Sequence, residues 1–288
     1  MVVAITGGNG QLGSCLQEIS KKHPQFSFVF CDVDTLDITN IEQVEQFFIS
    51  QKPNFIINAA AYTAVDKAET DVEKAQQINV LGAENLAKMC AKYHSVIVHI
   101  STDFVFDGLK TEPYTELDTP NPLGVYGKTK LEGERAITVN CTNHYIIRTA
   151  WLYSAYGANF MKTMLRLGAE KPFLTVVSDQ IGTPTHALDL AEALLTIIQK
   201  TIAEPENNRF GLYHYSNLGQ CSWFDFAQKI LELNNCPTPV KPIPTTDFPT
   251  PAKRPTYSVM DKTKIIHTFN IAIPTWEDSL QQCLEALK

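Results

Sequence analysis

The chain has 288 residues, 44% of them hydrophobic, with 15 Phe, 10 Tyr and 3 Trp, which is enough for one large core or two smaller domains. Charged residues make up 19% and the net charge is −7, a composition that argues against disorder and against a dominant basic surface for nucleic acid or anionic membranes. The seven cysteines form no CxxC pair, and neither a secretory signal nor a run of about 18 apolar residues occurs, so we expect a cytoplasmic protein with reduced thiols.

Short apolar runs alternate with amphipathic stretches along the first half of the chain. Continuous apolar strands separated by helices are typical of a parallel sheet that is covered on both faces. We therefore predict an α/β fold with a Rossmann-type doubly wound parallel sheet for a dinucleotide-binding domain at residues 1–150. The predicted strands are 2–6, 27–31, 55–58, 96–100 and 145–148, and the predicted helices are 11–22, 41–49, 71–93 and 125–137.

The alternation becomes less regular in the second half, where we predict a smaller α/β substrate domain at residues 151–288. Its predicted strands are 175–177 and 213–215, and its predicted helices are 188–199, 223–233 and 276–287. We expect the chain to return briefly to the first domain around 174–182 and 211–217. Seven prolines between residues 237 and 255 predict an ordered loop, since proline is excluded from helix interiors and central strands.

The segment TGGNGQLG at residues 6–13 joins the first strand to the first helix. Its glycines fit both GxGxxG and GxxGxxG, spacings that allow close approach of the backbone to a pyrophosphate at a helix N-terminus. Asp32 follows the second strand, where an acid binds the adenosine ribose, and residues 32–40 contain no Lys or Arg to pair a 2′-phosphate. A purely structural turn is the alternative, but this context favours a nicotinamide dinucleotide.

A second pattern places a tyrosine and a lysine on one face of a predicted helix. Tyr126 and Lys130 are four residues apart, so their side chains are neighbours. A lysine ammonium beside a phenol favours the phenolate, so we expect the pKa of Tyr126 to fall below about 10. Thr102 ends a predicted strand, where its hydroxyl can hold a carbonyl oxygen against Tyr126. In isolation YxxxK is usually a surface pair; after a nucleotide loop it favours catalysis.

Several segments together carry a resemblance to a known family. They are TGGNGQLG (6–13), NAAAYTAVDKAE (58–69), STDFVFDG (101–108), YGKTKLEGE (126–134), RTAWLY (148–153), NFMKTMLRL (159–167), SDQIGTPT (178–185) and PTPAKRP (249–255). The chain resembles the extended short-chain dehydrogenase/reductases, and within them the branch of the dTDP-4-dehydrorhamnose reductases. This resemblance covers most of the chain. It implies that NADH or NADPH reduces the 4-keto group of dTDP-4-dehydro-β-L-rhamnose to give dTDP-L-rhamnose.

The resemblance also implies roles for individual residues. Tyr126 would donate the proton, Lys130 would be its partner and the ribose anchor, and Thr102 would be the third catalytic residue. The implied cofactor site comprises Gly7, Gly10, Gln11, Leu12, Gly13, Asp32, Asp37, Ile38, Ala61, Tyr62 and Thr63 together with Tyr126 and Lys130. The implied substrate site comprises Thr102, Asp103, Trp151 and Arg254.

Two of these substrate residues have an alternative interpretation. Arg254, in the proline-rich loop, is our candidate for the diphosphate because Arg suits bidentate phosphate contacts, but a surface salt bridge is equally compatible with the sequence. Trp151 fits the substrate site better than the core, although a core position stays open.

The sequence departs from the family pattern at three positions. Residue 104 is Phe where the family usually has Tyr, so any hydroxyl contact made there is lost. Cys15 and Leu188 stand where some family members place carboxylates that hold magnesium between two subunits. We therefore expect no bound metal and a monomer or weak homodimer. The expected partner is a dTDP-sugar, with no nucleic acid and no membrane.

Two other functions are compatible with this fold. Sugar-nucleotide dehydratases place an Asp-Glu pair after the catalytic Thr, whereas here Asp103 is followed by Phe104, and an epimerase would show no net cofactor turnover. A non-catalytic regulatory subunit, resembling the one that partners methionine adenosyltransferase, is the other alternative. The complete set of Thr102, Tyr126 and Lys130 favours a reductase over both.

We expect the protein to use NADH at least as well as NADPH. The physical reason is that Asp32 repels a 2′-phosphate and no base between residues 32 and 40 offsets this repulsion. Steady-state kinetics with both cofactors tests the expectation. A kcat/KM for NADPH more than about tenfold above that for NADH, about 1.4 kcal/mol of discrimination, would contradict it.

Overall fold

A parallel sheet forms the centre of the structure, a computed structural model that describes residues 1–207 and 209–287. In the first half of the chain, strands and helices alternate as the apolar runs predict. The elements are β1 (Val2–Thr6), α1 (Gln11–Ser20), β2 (Ser27–Cys31), α2 (Ile41–Gln51), β3 (Phe55–Asn58), α3 (Val65–Ala68), α4 (Val72–Gln76), α5 (Ala83–Lys92), β4 (Val96–Thr102), α6 (Val125–Asn140) and β5 (His144–Thr149).

The second half has shorter strands and longer connections. Its elements are β6 (Leu152–Tyr153), α7 (Phe160–Glu170), β7 (Leu174–Val177), β8 (Ile181–Gly182), β9 (Thr185–His186), α8 (Ala187–Ala203), β10 (Gly211–His214), β11 (Cys221–Ser222), α9 (Trp223–Leu233), β12 (Val240–Ile243), α10 (Thr263–Phe269) and α11 (Trp276–Glu285). A 3₁₀ turn at Asp103–Val105 follows β4 directly.

The central sheet has the strand order β10-β5-β4-β3-β1-β2, and all its neighbouring strands are parallel. Helices cover both faces: α1 and α8 pack in the apolar core on one face, and α2, α5 and α6 in the core on the other. The predicted Rossmann-type doubly wound fold is confirmed. From β1 the chain first adds β2 on one side and then β3, β4 and β5 on the other. Such a switch point between β1 and β3 opens a crevice at the carboxyl ends of the strands.

The two segments expected to return to the first domain, 174–182 and 211–217, differ in whether their strands pair with the central sheet. β10 does join the central sheet, pairing with β5. β7 does not: it pairs with β12 in a separate two-stranded sheet. The reason is that Leu174 and Val176 are buried among α7, α9 and α11 rather than against the central strands. The proline-rich segment thus contributes β12, with Pro242 in a two-stranded sheet, where proline is tolerated at an edge. The domain boundary at residue 150 stays a prediction.

The long helix predicted at 71–93 contains a π-helical turn at Gln77–Gly82 between α4 and α5. At this turn the buried Asn79 accepts a hydrogen bond from the backbone of Tyr62 at 2.9 Å and donates one to the Thr129 hydroxyl at 3.0 Å. A π-turn inserts an extra residue into the helix and commonly re-aims a side chain at a functional site. Here it ties the 58–69 segment and α6 to the same helix.

Close backbone contact fixes the position of α6 against this turn. A Cβ on Gly133 of α6 would lie 2.2 Å from the carbonyl oxygen of Asn79, a distance that no side chain tolerates. Gly133 therefore allows α6 to approach the π-turn more closely than any other residue would.

Within residues 1–207 and 209–287, no helix combines the length and apolar character needed to cross a membrane. The seven cysteines are free thiols, and six of them are buried. The expectation of a cytoplasmic protein stays a prediction.

Replacing Gly133 with Ala should destabilise the protein by about 1–3 kcal/mol, the usual cost of overpacking. The sign of this change in the free energy of unfolding is informative, because replacing Gly with Ala in an exposed helix stabilises a protein by about 1 kcal/mol through helix propensity. Urea unfolding of Gly133→Ala measures the difference. Glu132→Ala, at the exposed neighbouring position, is the control and should stay within about 0.5 kcal/mol of the wild type. A more stable Gly133→Ala variant would contradict the close contact.

Candidate active site

A cavity of about 1010 Å³ lies at the carboxyl ends of the central strands and is lined by residues from both halves of the chain. Most residues predicted from the sequence line it. They are Gly7, Gly10, Gln11, Leu12, Gly13, Asp32, Asp37, Ile38, Ala61, Thr63, Thr102, Asp103, Tyr126, Lys130 and Trp151. Tyr62 and Arg254 are not among the described lining residues. A cavity of this size lies at the upper end of the range for ligand pockets, so it has room for a cofactor and a substrate together.

The phosphate loop has the geometry that its glycines predict. Gly7 has φ +69°, in the left-handed region, and a Cβ on Gly13 would lie 2.4 Å from the carbonyl oxygens of Gly7 and Gly8. Gly10, the N-cap of α1, provides no side-chain cap, and Gln11 and Leu12 of the first turn line the cavity, so no capping hydrogen bond occupies the N–H groups there. This arrangement fits a pyrophosphate group.

Asp32 lies at the end of β2 beside this loop. One carboxylate oxygen accepts a hydrogen bond from the backbone N–H of Asn9 at 3.0 Å, and the other accepts one from Val33 at 2.8 Å. The carboxylate is therefore fixed at the edge of the cavity, in a position suited to ribose hydroxyls. Lys74 of α4 also lines the cavity, a basic residue outside 32–40 that the sequence reasoning missed.

Gln11 connects the phosphate loop to the second half of the chain. Its side-chain oxygen accepts hydrogen bonds from Ser154 at 3.1 Å and from Asn159 at 2.9 Å. Asn159 in turn caps α7, since its oxygen accepts from the backbone N–H of Lys162. The first turn of α1 and the first turn of α7 thus share one hydrogen-bond network beside the cavity.

The structure corrects the expected effect of Lys130 on Tyr126. Burial raises the pKa of Tyr126 to about 12, and Asp103 adds to this rise, while the Thr102 hydroxyl opposes it. The Lys130 amine instead donates to the carbonyl of Ile100 at 2.7 Å and contacts Nε2 of His99 at 3.2 Å. Burial also lowers the pKa of Lys130 to about 8, opposed by Glu134. The expectation of a lowered tyrosine pKa is wrong, because desolvation of the half-buried phenol dominates its pKa and the buried Lys130 amine contacts Ile100 and His99 instead.

Thr102 and Asp103 form a polar corner where β4 meets the 3₁₀ turn. The Thr102 hydroxyl donates to Oδ1 of Asp103 at 3.1 Å and accepts from the backbone N–H of Phe104 at 3.2 Å. Oδ2 of Asp103 is buried, and no hydrogen-bond partner for it is found among the described residues. Burial raises the pKa of Asp103 to about 6, although the nearby hydroxyls of Ser258 and Thr102 oppose this rise. Phe104 packs its ring against Tyr126, with ring centroids 5.5 Å apart in an edge-to-face geometry.

A buried ion pair lies directly beneath this corner. Arg148 of β5 donates from Nε to Oε1 of Glu134 at 2.9 Å and from Nη2 to Oε2 at 2.6 Å. Ser101 of β4 also donates to Glu134. Glu134 follows Tyr126 and Lys130 on the same face of α6, so this ion pair anchors the helix that carries both.

Aromatic side chains from the second half close the opposite wall. Trp151 stacks on Trp223 with ring centroids 3.6 Å apart and an interplanar angle of 10°, and Phe160 lies 4.5 Å from Trp223. Trp151 has φ +46°, a strained conformation for a tryptophan. A Cβ on Gly182 would lie 2.5 Å from the Trp151 indole, so glycine is needed there for the indole to reach the wall. Large aromatic faces suit the apolar side of a sugar or base.

Arg254 makes a bidentate ion pair with Asp66, at 3.1 Å to Oδ1 and 2.8 Å to Oδ2. It also donates to Thr250 and to the carbonyl of Ala252. The alternative of a salt bridge is therefore what the structure contains, and the diphosphate role of Arg254 stays a prediction. The side chain of Tyr62 does not line the cavity either, and its hydroxyl donates to Asp71 at 3.1 Å.

Sequence reasoning missed the lining residues that come from distant parts of the chain. These are chiefly Asn159, Phe160, Trp223 and Phe226. No local spacing marks them, because α7 and α9 approach the first half only through tertiary packing. The segment NFMKTMLRL, which begins with Asn159 and Phe160, was a family signal without an assigned role.

No cluster of three or more potential metal ligands occurs in the part of the chain that the structure describes. Cys15 is buried in the core that α1 and α8 share, and Leu188 packs partly buried against it. The expectation that the protein binds no metal stays a prediction.

The chain matches the family profile of the RmlD substrate binding domain over residues 1–288. It is 44% identical over 286 residues to the dTDP-4-dehydrorhamnose reductase of Aggregatibacter actinomycetemcomitans, covering 96% of each chain. It also resembles the crystal structure of a dTDP-4-dehydrorhamnose reductase from Clostridium acetobutylicum, with a TM-score of 0.93, 44% identity and coverage of 100% and 99%. The Bacillus anthracis dTDP-4-dehydrorhamnose reductase, solved in complex with NADP, gives a TM-score of 0.92 at 41% identity, with 99% of each chain covered.

Asp103→Asn should gain stability relative to the wild type as pH rises from 4 to 8. Below its ordinary pKa of 3.8, Asp103 is neutral in both the folded and the unfolded state. Between 3.8 and about 6 the unfolded state loses the proton while the folded state keeps it, so wild-type stability falls. The interval corresponds to about 3 kcal/mol. Urea unfolding of both proteins across this range measures it, and a constant difference between them would contradict the buried carboxylate.

Proposed function

The chain belongs to the family of the RmlD substrate binding domain, and from this membership and the site we propose that it is an NAD(P)H-dependent reductase of dTDP-rhamnose biosynthesis. The reaction is reduction of the 4-keto group of dTDP-4-dehydro-β-L-rhamnose to give dTDP-L-rhamnose. The observation that carries the proposal is the meeting of the phosphate loop with Thr102, Tyr126 and Lys130 in one cavity.

The chain's own residues fit a nicotinamide dinucleotide. The uncapped N-terminus of α1, at Gln11 and Leu12, is the candidate holder of the pyrophosphate, and Asp32 of the adenosine ribose. Asp37 and Ile38 would lie near the adenine, and Ala61 and Thr63 along the cofactor. When bound, the cofactor supplies the hydride that reduces the sugar carbonyl at C4.

Tyr126 is the group proposed to donate a proton to the carbonyl oxygen. Since burial raises its pKa to about 12, the phenol stays protonated at neutral pH and acts as an acid rather than as a base. Thr102, fixed between Asp103 and the backbone of Phe104, is positioned to hold the same oxygen. Lys130 shares the helical face of Tyr126 and is the proposed ribose anchor.

The substrate is proposed to lie between this corner and the aromatic wall. Oδ2 of Asp103, which has no hydrogen bond among the described residues, can accept one from a sugar hydroxyl. Trp151, stacked on Trp223, offers an apolar surface to the sugar. A dTDP-sugar partner, a cytoplasmic location, and a monomer or weak homodimer are part of this proposal.

A dehydratase or epimerase on the same fold is less well supported. Elimination needs a second acid–base residue after Thr102, and Phe104 fills that place with an apolar ring against Tyr126. The decisive experiment follows NAD(P)H absorbance with the dTDP-4-keto-6-deoxy sugar, prepared with and without the 3,5-epimerase. Oxidation of the cofactor only in the epimerised sample supports the proposal, and no oxidation in either sample refutes it.

Tyr126→Phe should reduce kcat by about 10²–10⁴-fold, the usual value of general acid catalysis, and leave cofactor affinity nearly unchanged. The phenol provides the proton, whereas the phosphate loop and Asp32 hold the dinucleotide. Steady-state kinetics and calorimetric titration of the cofactor measure the two effects. Tyr93→Phe is the matched control, because the Tyr93 hydroxyl donates to Glu45 of α2 and Tyr93 does not line the cavity. Retention of more than half of the wild-type kcat by Tyr126→Phe would exclude it as the acid.

A further inference from the structure

Three buried polar side chains form a continuous line toward Lys130. Thr6 of β1, Asn58 of β3 and His99 of β4 are direct neighbours across the parallel strands. The Thr6 hydroxyl donates to Oδ1 of Asn58 at 2.7 Å, and Nδ2 of Asn58 lies 3.0 Å from Nδ1 of His99. Nε2 of His99 then lies 3.2 Å from the Lys130 amine. At its far end, Thr6 reaches the lining of the cavity beside the phosphate loop.

The proton positions in this line depend on the charge of Lys130. With the Asn58 amide donating to Nδ1 of His99, a neutral imidazole carries its proton on Nε2 and donates it to Lys130, which must then be an uncharged amine. With the amide turned over, Nδ1 carries the proton and Nε2 accepts from the lysine ammonium. The Thr6 hydroxyl satisfies Asn58 in both cases, because it can donate or accept.

Lys130 contacts the neutral His99 rather than a carboxylate. On α6, Tyr126 and Glu134 share the lysine's helical face, and Glu134 is already paired with Arg148 of β5 and bonded to Ser101 of β4. Asp103 faces Tyr126 from the turn after β4. Burial and the adjacent Lys130 hold the pKa of His99 well below its ordinary value, so the imidazole does not take the charge itself.

We infer that Thr6, Asn58 and His99 act as a positioning relay for Lys130, in which a neutral His99 changes tautomer as the lysine gains or loses its proton. The relay thereby sets the pH range in which Lys130 is charged. The inference rests on the proposed function only in that Lys130 is taken to anchor a nicotinamide cofactor. His99 is a positioning residue, since it acts through Lys130.

Two substitutions distinguish the contact of Nδ1 with Asn58 from the contact of Nε2 with Lys130. Gln places an amide atom near the position of Nε2, and Asn places one near the position of Nδ1. His99→Gln therefore keeps an acceptor for Lys130, whereas His99→Asn keeps only the contact to Asn58. Among the described residues, the acceptor left to the ammonium in the Asn variant is the carbonyl of Ile100. The lysine should then lose its proton at lower pH.

The measurement is the pH dependence of the NADH dissociation constant, determined by calorimetry without sugar, since NADH has no 2′-phosphate to titrate. In the wild type, affinity should fall with a midpoint near the Lys130 pKa of about 8, where the charged donor is lost. The midpoint should move down by about one pH unit in His99→Asn and stay in place in His99→Gln. His267→Gln, at an exposed position on α10, is the control and should match the wild type.

Equal midpoints for the Asn and Gln variants would overturn the inference. Because either variant could lose its fold, nitrogen NMR of His99 in the wild type is a second test. The imidazole should stay neutral and change from the Nδ1–H to the Nε2–H tautomer at the same midpoint. A single tautomer throughout, or a charged imidazole, would also overturn the inference. A protein that binds NADH but does not reduce the sugar refutes the proposed function alone.

Discussion

The buried ion pair between Glu134 and Arg148 is the interaction on which the geometry of the site depends. Both side chains are almost fully buried, and two hydrogen bonds join them, with Ser101 satisfying the carboxylate further. Removing one partner of such a pair leaves an uncompensated buried charge, which typically costs about 3–5 kcal/mol. The pair joins α6 to β4 and β5. Since Tyr126 and Lys130 lie on the same helical face, the pair also determines where their side chains meet the cavity.

On the face of the central sheet that α6 covers, the buried side chains change from apolar to polar toward the carboxyl ends of the strands. In β1, β3 and β4 an apolar residue is followed two positions later by a polar one, and the two share a face because side chains alternate along a strand. The pairs are Ala4 and Thr6, Ile56 and Asn58, and Ile97 and His99, all buried. The apolar members pack in the core with α2 and α5, and the polar members form the hydrogen-bonded line that runs from Thr6 at the cavity to Lys130. On one face of the sheet, the apolar positions thus stabilise the core, and the polar positions two residues further along contact the site.

The sequence predicted those parts of the site that depend on local spacing. The phosphate loop and the YxxxK pair of Tyr126 and Lys130 are such parts, because a turn and a helical face are set by neighbouring residues. The pKa of Tyr126 could not be predicted, since it depends on burial. His99 carries no local sequence signal, because its contacts with Asn58 and Lys130 follow from strand register. Trp223 lies far along the chain and reaches the cavity only through packing of α9.

The aromatic wall has an optical consequence. Of the three tryptophans, Trp151 and Trp223 are stacked in the cavity, while Trp276 is buried in the core of the second half. Reduced nicotinamide absorbs in the region where tryptophan emits, so a dinucleotide held in this cavity quenches the indole pair by energy transfer. Stacked indoles also couple their near-ultraviolet transitions, giving a circular dichroism signal that disappears when the rings separate. The wall therefore contains its own spectroscopic reporter.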